Sequence, residues 1–162
     1  MKKYVLTLHA LPRSLILFVY GLLLLAANVH AAPSVAFHYG ATPPTAQLKL
    51  FEWAVVEPGH LPKPPQDTQT VWFAYLSLGE VTPDRPYAQH IPTAWKQGHN
   101  TAWGSMVIDQ SAPGWPDFVV EQMVKPIWEN GYRGFFLDTL DSWQIIAKDE
   151  QARQRQIDGL IR

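Results

Sequence analysis

The chain has 162 residues, 47% of them hydrophobic, with seven tryptophans, a composition that suits one globular domain with a substantial core. It contains no cysteine, which excludes disulfides and thiolate metal sites. Lysine and arginine number 13 against 14 acids, and three of the bases (Lys2, Lys3 and Arg13) fall within the first 31 residues, so the remainder is acidic by four charges and does not suit nucleic acid as a partner.

Residues 1–31 read as a cleaved secretory signal. A basic start precedes an apolar run at 14–27, and Val29-His30-Ala31 gives the small-x-small pattern of a signal-peptidase site. The run is short for a membrane span of about 20 residues. This predicts a secreted or periplasmic product, residues 32–162, with no stable membrane insertion.

Residues 34–40 read as a strand ending at glycine. A short helix follows Pro43-Pro44, with Thr45 as its N-cap. Residues 53–60 form a second strand that Pro58 and Gly59 stop, and the proline-rich 61–69 is a loop. Residues 70–81 read as a third strand, 87–100 as irregular with one helical turn near Trp95, and 105–109 as a short β-like segment. A helix follows, with Val120, Met123, Val124, Ile127 and Trp128 on one face, Pro116 in its first turn and Gly131 just past its end. Pro126 removes a backbone donor there and predicts a kink or a broken last turn. "GFFLD", residues 134–138, reads as a strand buried on both sides, and 148–162 is helical by propensity.

Strands alternating with helices and loops predict parallel β/α units. Tyr39, Glu57, Glu80 and Asp138 then stand at the ends of the four strands, where β/α barrels carry their catalytic groups. Each has two readings. Asp138 is either a carboxylate aimed into a cleft, as nucleophile or acid/base, or the N-cap of the next helix; Asp141 and Ser142 are better placed to cap. Glu80 is a second acid, a substrate contact, or the ion-pair partner of Arg85. Glu57 is a strand-end acid or a solvated turn residue, and Asp109 a substrate contact or a loop-closing acid. Trp103, Trp115 and Trp143 are candidate sugar platforms, whereas Trp72 and Trp128 are expected in the core. His38, His60, His90 and His99 show no metal-ligand spacing, so no metal site is expected. No phosphate-binding glycine loop, nucleophile elbow or dinucleotide-binding pattern occurs.

"FHYG", "WFAYLSLGEV", "WGSMVIDQSAPGWPDF" and "GYRGFFLDTLDSW" resemble glycoside-hydrolase family 114, the endo-α-1,4-polygalactosaminidases, from residue 34 to the end. The resemblance implies a (β/α)8 barrel that cleaves α-1,4-linked galactosamine or N-acetylgalactosamine polysaccharide of the biofilm type, with no cofactor. It implies that Asp138 is one of two catalytic carboxylates and that Tyr39 and Glu80 line the sugar site. The family's second carboxylate is a glutamate on a later strand, and only 24 residues follow Asp138 here. A full barrel takes about 250 residues. The sequence therefore reads as about the first four β/α units, inactive alone, whose partners are the polysaccharide and a missing C-terminal half or deacetylase domain. The alternative is a non-catalytic carbohydrate-binding or biofilm-associated protein.

Overall fold

Alternating apolar strands and amphipathic helices sort into two sheets and a helical layer in this computed structural model, which describes residues 32–67 and 69–162. The signal expected at 1–31 lies outside the described residues. The strands are β1 (Val35–His38), β2 (Trp53–Val56), β3 (Val71–Ser77), β4 (Glu80–Val81), β5 (Lys96–Asn100), β6 (Ser105–Ile108) and β7 (Gly134–Asp138). The helices are α1 (Thr45–Leu48), α2 (Trp115–Phe118), α3 (Lys125–Glu129) and α4 (Glu150–Ile161).

The main sheet is wholly parallel, in the order β1-β2-β3-β7. Its register sets Val35 beside Trp53, Trp53 beside Val71, Tyr75 beside Phe136 and Ser77 beside Asp138. Side chains alternate between faces along each strand. Trp72, Ala74 and Leu76 point into the helical layer, where Leu48, Val56 and Tyr132 form one cluster and Ile108, Trp115 and Met123 belong to a second. Val35, Phe37, Trp53, Val71 and Phe136 share the opposite face and all remain exposed, Phe37 to 54%. Rings on that face touch one another, Phe37 with Phe136 at 5.2 Å and Trp53 with Phe73 at 5.3 Å.

Four expectations need correction. The third strand is two strands: β3 ends at Ser77, the chain turns at Leu78-Gly79, and β4 joins an antiparallel sheet of order β4-β6-β5. The segment at 96–100 is a strand although "KQGHN" has no apolar alternation; it is held by pairing to β6, whose Val107 and Ile108 are fully buried. β7 is not covered on both sides. It is the outer strand, and Phe136 and Leu137 are 37% and 46% exposed. Trp128 is not core but 48% exposed, with the Arg133 guanidinium 4.7 Å above its ring.

The helix disturbed by Pro126 shows why only part of the expected stripe is core. Between α2 and α3 the turn widens over Val119–Val124, and the Lys125 N–H reaches the Val120 carbonyl, five residues back. Proline offers no N–H and its ring crowds the carbonyl four residues earlier, so the helix takes a wider turn just before it. Met123, Val124 and Ile127 keep their expected place in the core, joined by Trp115, Phe118 and Val119, while Val120 and Trp128 at the two ends of the expected stripe lie outside.

α4 begins at an N-cap, the Asp149 carboxylate accepting the Ala152 N–H at 2.7 Å. It packs on the turn after β6, where a Cβ on Gly159 would stand 2.1 Å from the Gln110 carbonyl oxygen. Among the described residues no helix is long and apolar enough to cross a membrane. Gly159→Ala is expected to destabilise the fold by about 1–3 kcal/mol through this backbone clash, measured as a lower urea midpoint; the exposed neighbour Asp158→Ala should stay within about 0.5 kcal/mol of the parent.

Candidate active site

At the carboxyl end of the main sheet lies a cavity of about 550 Å³. Tyr39 follows β1, Glu57 follows β2, Tyr75 and Ser77 close β3, and Asp138 ends β7; all five line the cavity. They meet because period-two alternation and the parallel register give them one face of the sheet. The turn after β3 carries Glu80 into the same wall, and Trp103, 78% exposed, stands at the rim.

The Asp138 carboxylate accepts the Tyr75 hydroxyl at Oδ2, 2.7 Å away. Among the described residues no backbone N–H donates to it. Burial first, and then this hydrogen bond to a carboxylate, push the Tyr75 phenol far above its ordinary range, so Tyr75 remains a donor at neutral pH. The Tyr39 ring leans on Tyr75 with centroids 4.9 Å apart, and its own pKa is raised by burial and by the charges of Asp138 and Glu57.

Glu80 is 7% exposed. Its carboxylate accepts from Ser105 Oγ, from Ser142 Oγ at 2.6 Å and from Asn100 Nδ2 at 3.0 and 3.2 Å. Burial pushes its pKa up, but these donors outweigh burial and the nearby Asp138 charge and hold it below the ordinary glutamate value. The ion pair considered between Glu80 and Arg85 does not form. Arg85 clasps Glu57 through two bonds, of 2.5 and 2.9 Å, and Glu57 also accepts the Gly59 N–H at 3.1 Å. Burial alone would lower the Arg85 pKa; the Glu57 carboxylate holds it above its ordinary value.

The structure thus brings Tyr39, Glu80, Trp103 and Asp138 together. It does not bring in Asp109, whose Oδ1 is taken by the Ser111 N–H and hydroxyl and by Gln156 Nε2, at 3.0, 2.5 and 2.6 Å. Trp143 lies outside the cavity wall, half-buried under Arg153 at 5.5 Å. Trp115 is 3% exposed and stacks on Phe118 at 5.5 Å, so it is core rather than a platform. Asp141 lines the cavity, but its carboxylate accepts from Gln144 Nε2 at 3.2 Å and caps no backbone N–H. Sequence reasoning missed Tyr75, Ser105, Ser142 and Asn100. Tyr75 was recoverable from the period-two parity of its strand, which sets it on the same face as Ser77; the donors to Glu80 come from segments distant in sequence and carry no local signal. Among the described residues no three His, Asp or Glu side chains converge as metal ligands would.

A parallel β/α sheet with acids gathered at its carboxyl edge is the arrangement of β/α-barrel enzymes. Residues 25–162 match glycoside-hydrolase family GH114, and the chain belongs to that family. It is similar to the glycoside hydrolase domain of PelA from Pseudomonas aeruginosa, with 37% identity and a TM-score of 0.65 over 80% of this chain and 53% of that one. A single-substitution variant of that domain matches to the same extent. Ega3 from Aspergillus fumigatus, solved in complex with galactosamine, matches at 15% identity and a TM-score of 0.58, over 78% of this chain and 51% of that one, which shows a shared fold alone. No curated protein matches. The chain spans about half the length of the solved structures it matches, and its parallel sheet corresponds to half of their barrel.

Because the folded pKa of Glu80 lies below the unfolded value of 4.5, its donors stabilise the fold above that pH, and the contribution is lost as pH falls through the folded pKa. Urea midpoints measured from about pH 6 down to pH 2 should fall less steeply in Ser142→Ala than in the parent, with the two converging at the acid end.

Proposed function

We propose that this chain furnishes the N-terminal half of the active site of a secreted or periplasmic glycoside hydrolase acting on α-1,4-linked galactosamine and N-acetylgalactosamine polysaccharide. The observation that carries this reading is the placement of Asp138. It ends the outer parallel strand of a GH114 chain, one carboxylate oxygen is held by Tyr75, and the residue faces a sugar-sized cavity.

Glycoside cleavage uses two carboxyl groups, one to protonate the leaving oxygen and one to attack the anomeric carbon or to activate water. Asp138 suits the second task. Tyr75 fixes its orientation, and among the described residues no protein donor covers its other oxygen. Glu80 does not suit the first. Every donor around it favours its ionised form, and its pKa lies below the ordinary value, so it carries no proton to give at neutral pH. A buried, charged carboxylate on the cavity wall instead favours a cationic amino sugar over a neutral one. Trp103 offers an exposed ring at the rim, and Tyr39 walls the side near β1.

The general acid then stands on the far side of the mouth. The apolar face bearing Phe37, Trp53 and Phe136, with the outer edges of β1 and β7 unpaired in the main sheet, is the surface on which a complementary half-barrel closes. Half a mouth with one suitable carboxylate binds sugar and does not turn it over.

The test is to assay the full chain on partly deacetylated α-1,4-galactosamine polymer, alone and mixed with the second half of the PelA hydrolase domain. Binding without cleavage is expected alone and cleavage in the mixture, with Asp138→Asn lowering the rate by about 10³-fold or more. Turnover that survives Asp138→Asn would remove Asp138 from the chemistry, and turnover by the chain alone would overturn the divided site.

A further inference from the structure

Asp138 and Glu80 belong to different sheets, yet one residue joins their backbones. Thr139 follows Asp138 with φ +57°, and it is the one non-glycine residue in the left-handed region among the described residues. A β-branched side chain is disfavoured there and persists only where its surroundings hold it. Here they do. The Gly79 N–H donates to Thr139 Oγ1 at 2.9 Å, and the hydroxyls of Thr139 and Ser77 are 2.8 Å apart. Ser77 Oγ donates to the Glu80 carbonyl at 2.6 Å, and Thr139 Oγ1 donates to the Asp138 carbonyl at 2.7 Å.

Thr139 Oγ1 thus links the Gly79 N–H to the Asp138 carbonyl and lies against the Ser77 hydroxyl, which holds the Glu80 carbonyl, all around the turn that aims Glu80. The Thr139 carbonyl presses on the same turn: a Cβ on Gly79 would lie 2.1 Å from it. That carbonyl also accepts the Ser142 N–H at 3.3 Å, and Ser142 Oγ donates to Glu80 Oε1. The Leu78 N–H closes the ring on the Asp138 carbonyl at 3.0 Å.

We infer that Thr139 is a positioning residue that sets the separation of the Asp138 and Glu80 carboxylates by locking the end of β7 to the turn before β4. Glycine would take this backbone conformation without strain but has no hydroxyl. A strained threonine whose hydroxyl joins the two segments marks the hydroxyl as the useful part. The inference rests on the reading of Asp138 and Glu80 as the carboxylates that face substrate.

The two charges report their own separation, since the Asp138 charge holds the Glu80 pKa up. In the full chain labelled with ¹³C at glutamate, Glu80 is titrated by NMR with and without Asp138→Asn. The substitution is expected to lower the Glu80 pKa. In Thr139→Gly the melting temperature should be kept or raised, while that difference falls to half or less; Thr139→Ser should preserve it. An undiminished difference in Thr139→Gly, or equal loss in glycine and serine variants, overturns the positioning role. In the complemented enzyme, Asp138-dependent cleavage that is unchanged by Thr139→Gly overturns it too and leaves the functional reading intact. A Thr139-dependent difference without any cleavage supports the positioning role and removes the functional reading instead.

Discussion

The cavity depends on the register of β3 against β7. With Ser77 beside Asp138 and Tyr75 beside Phe136, the odd positions of β3 and the even positions of β7 share the inner face. A slip of one residue would turn Asp138 into the apolar helical layer and bring Leu137 to the mouth. Size complementarity fixes the pairing. Gly134 lies beside Phe73, and a Cβ there would stand 2.5 Å from the Phe73 ring. On the other face Phe135 fills the gap between the two apolar clusters. A bulky ring facing an absent side chain therefore specifies, four residues upstream, where the carboxylate emerges.

Of the four acids that line this half-buried space, Glu57, Glu80 and Asp138 are stabilised in three different ways. Glu57 meets a full opposite charge, and its bidentate pairing with Arg85 leaves a nearly neutral unit. Glu80 meets neutral donors only, so it keeps its charge while losing most of its contact with water. Asp138 has a single phenol on one oxygen. Removing a carboxylate from water is costly unless such bonds replace hydration. The differences in compensation leave a fixed ion pair, a fixed charge and, among the described residues, a carboxylate with one oxygen uncommitted.

Much of this was legible in the chain. Strand-end positions 39, 57 and 138 followed from apolar runs and their stops, because short strands leave a plain hydropathy signature, whereas Glu80, expected at a strand end, opens β4 after the turn at Leu78-Gly79. The helical stripe was legible at Met123, Val124 and Ile127 but not at its ends, since the wide turn ahead of Pro126 inserts a residue that no heptad-like count includes. β5 was invisible. Its residues are polar, and what makes it a strand is the ladder offered by β6. Trp115, expected as a loop platform, is core, and Trp128, expected in the core, is exposed beside Arg133. The open face of the sheet could not be read from "GFFLD", because an apolar run looks alike whether its cover is present in the structure or not.

The small antiparallel sheet sits between β3 and α2 and supplies Asn100 and Ser105 to Glu80, while the parallel sheet supplies neither. The surroundings of this acid are thus carried largely by a sheet other than the one that carries Asp138. Drift at Asn100 or Ser105 can therefore alter the setting of Glu80 while the parallel scaffold keeps Asp138 in place, so that the two acids are free to evolve separately.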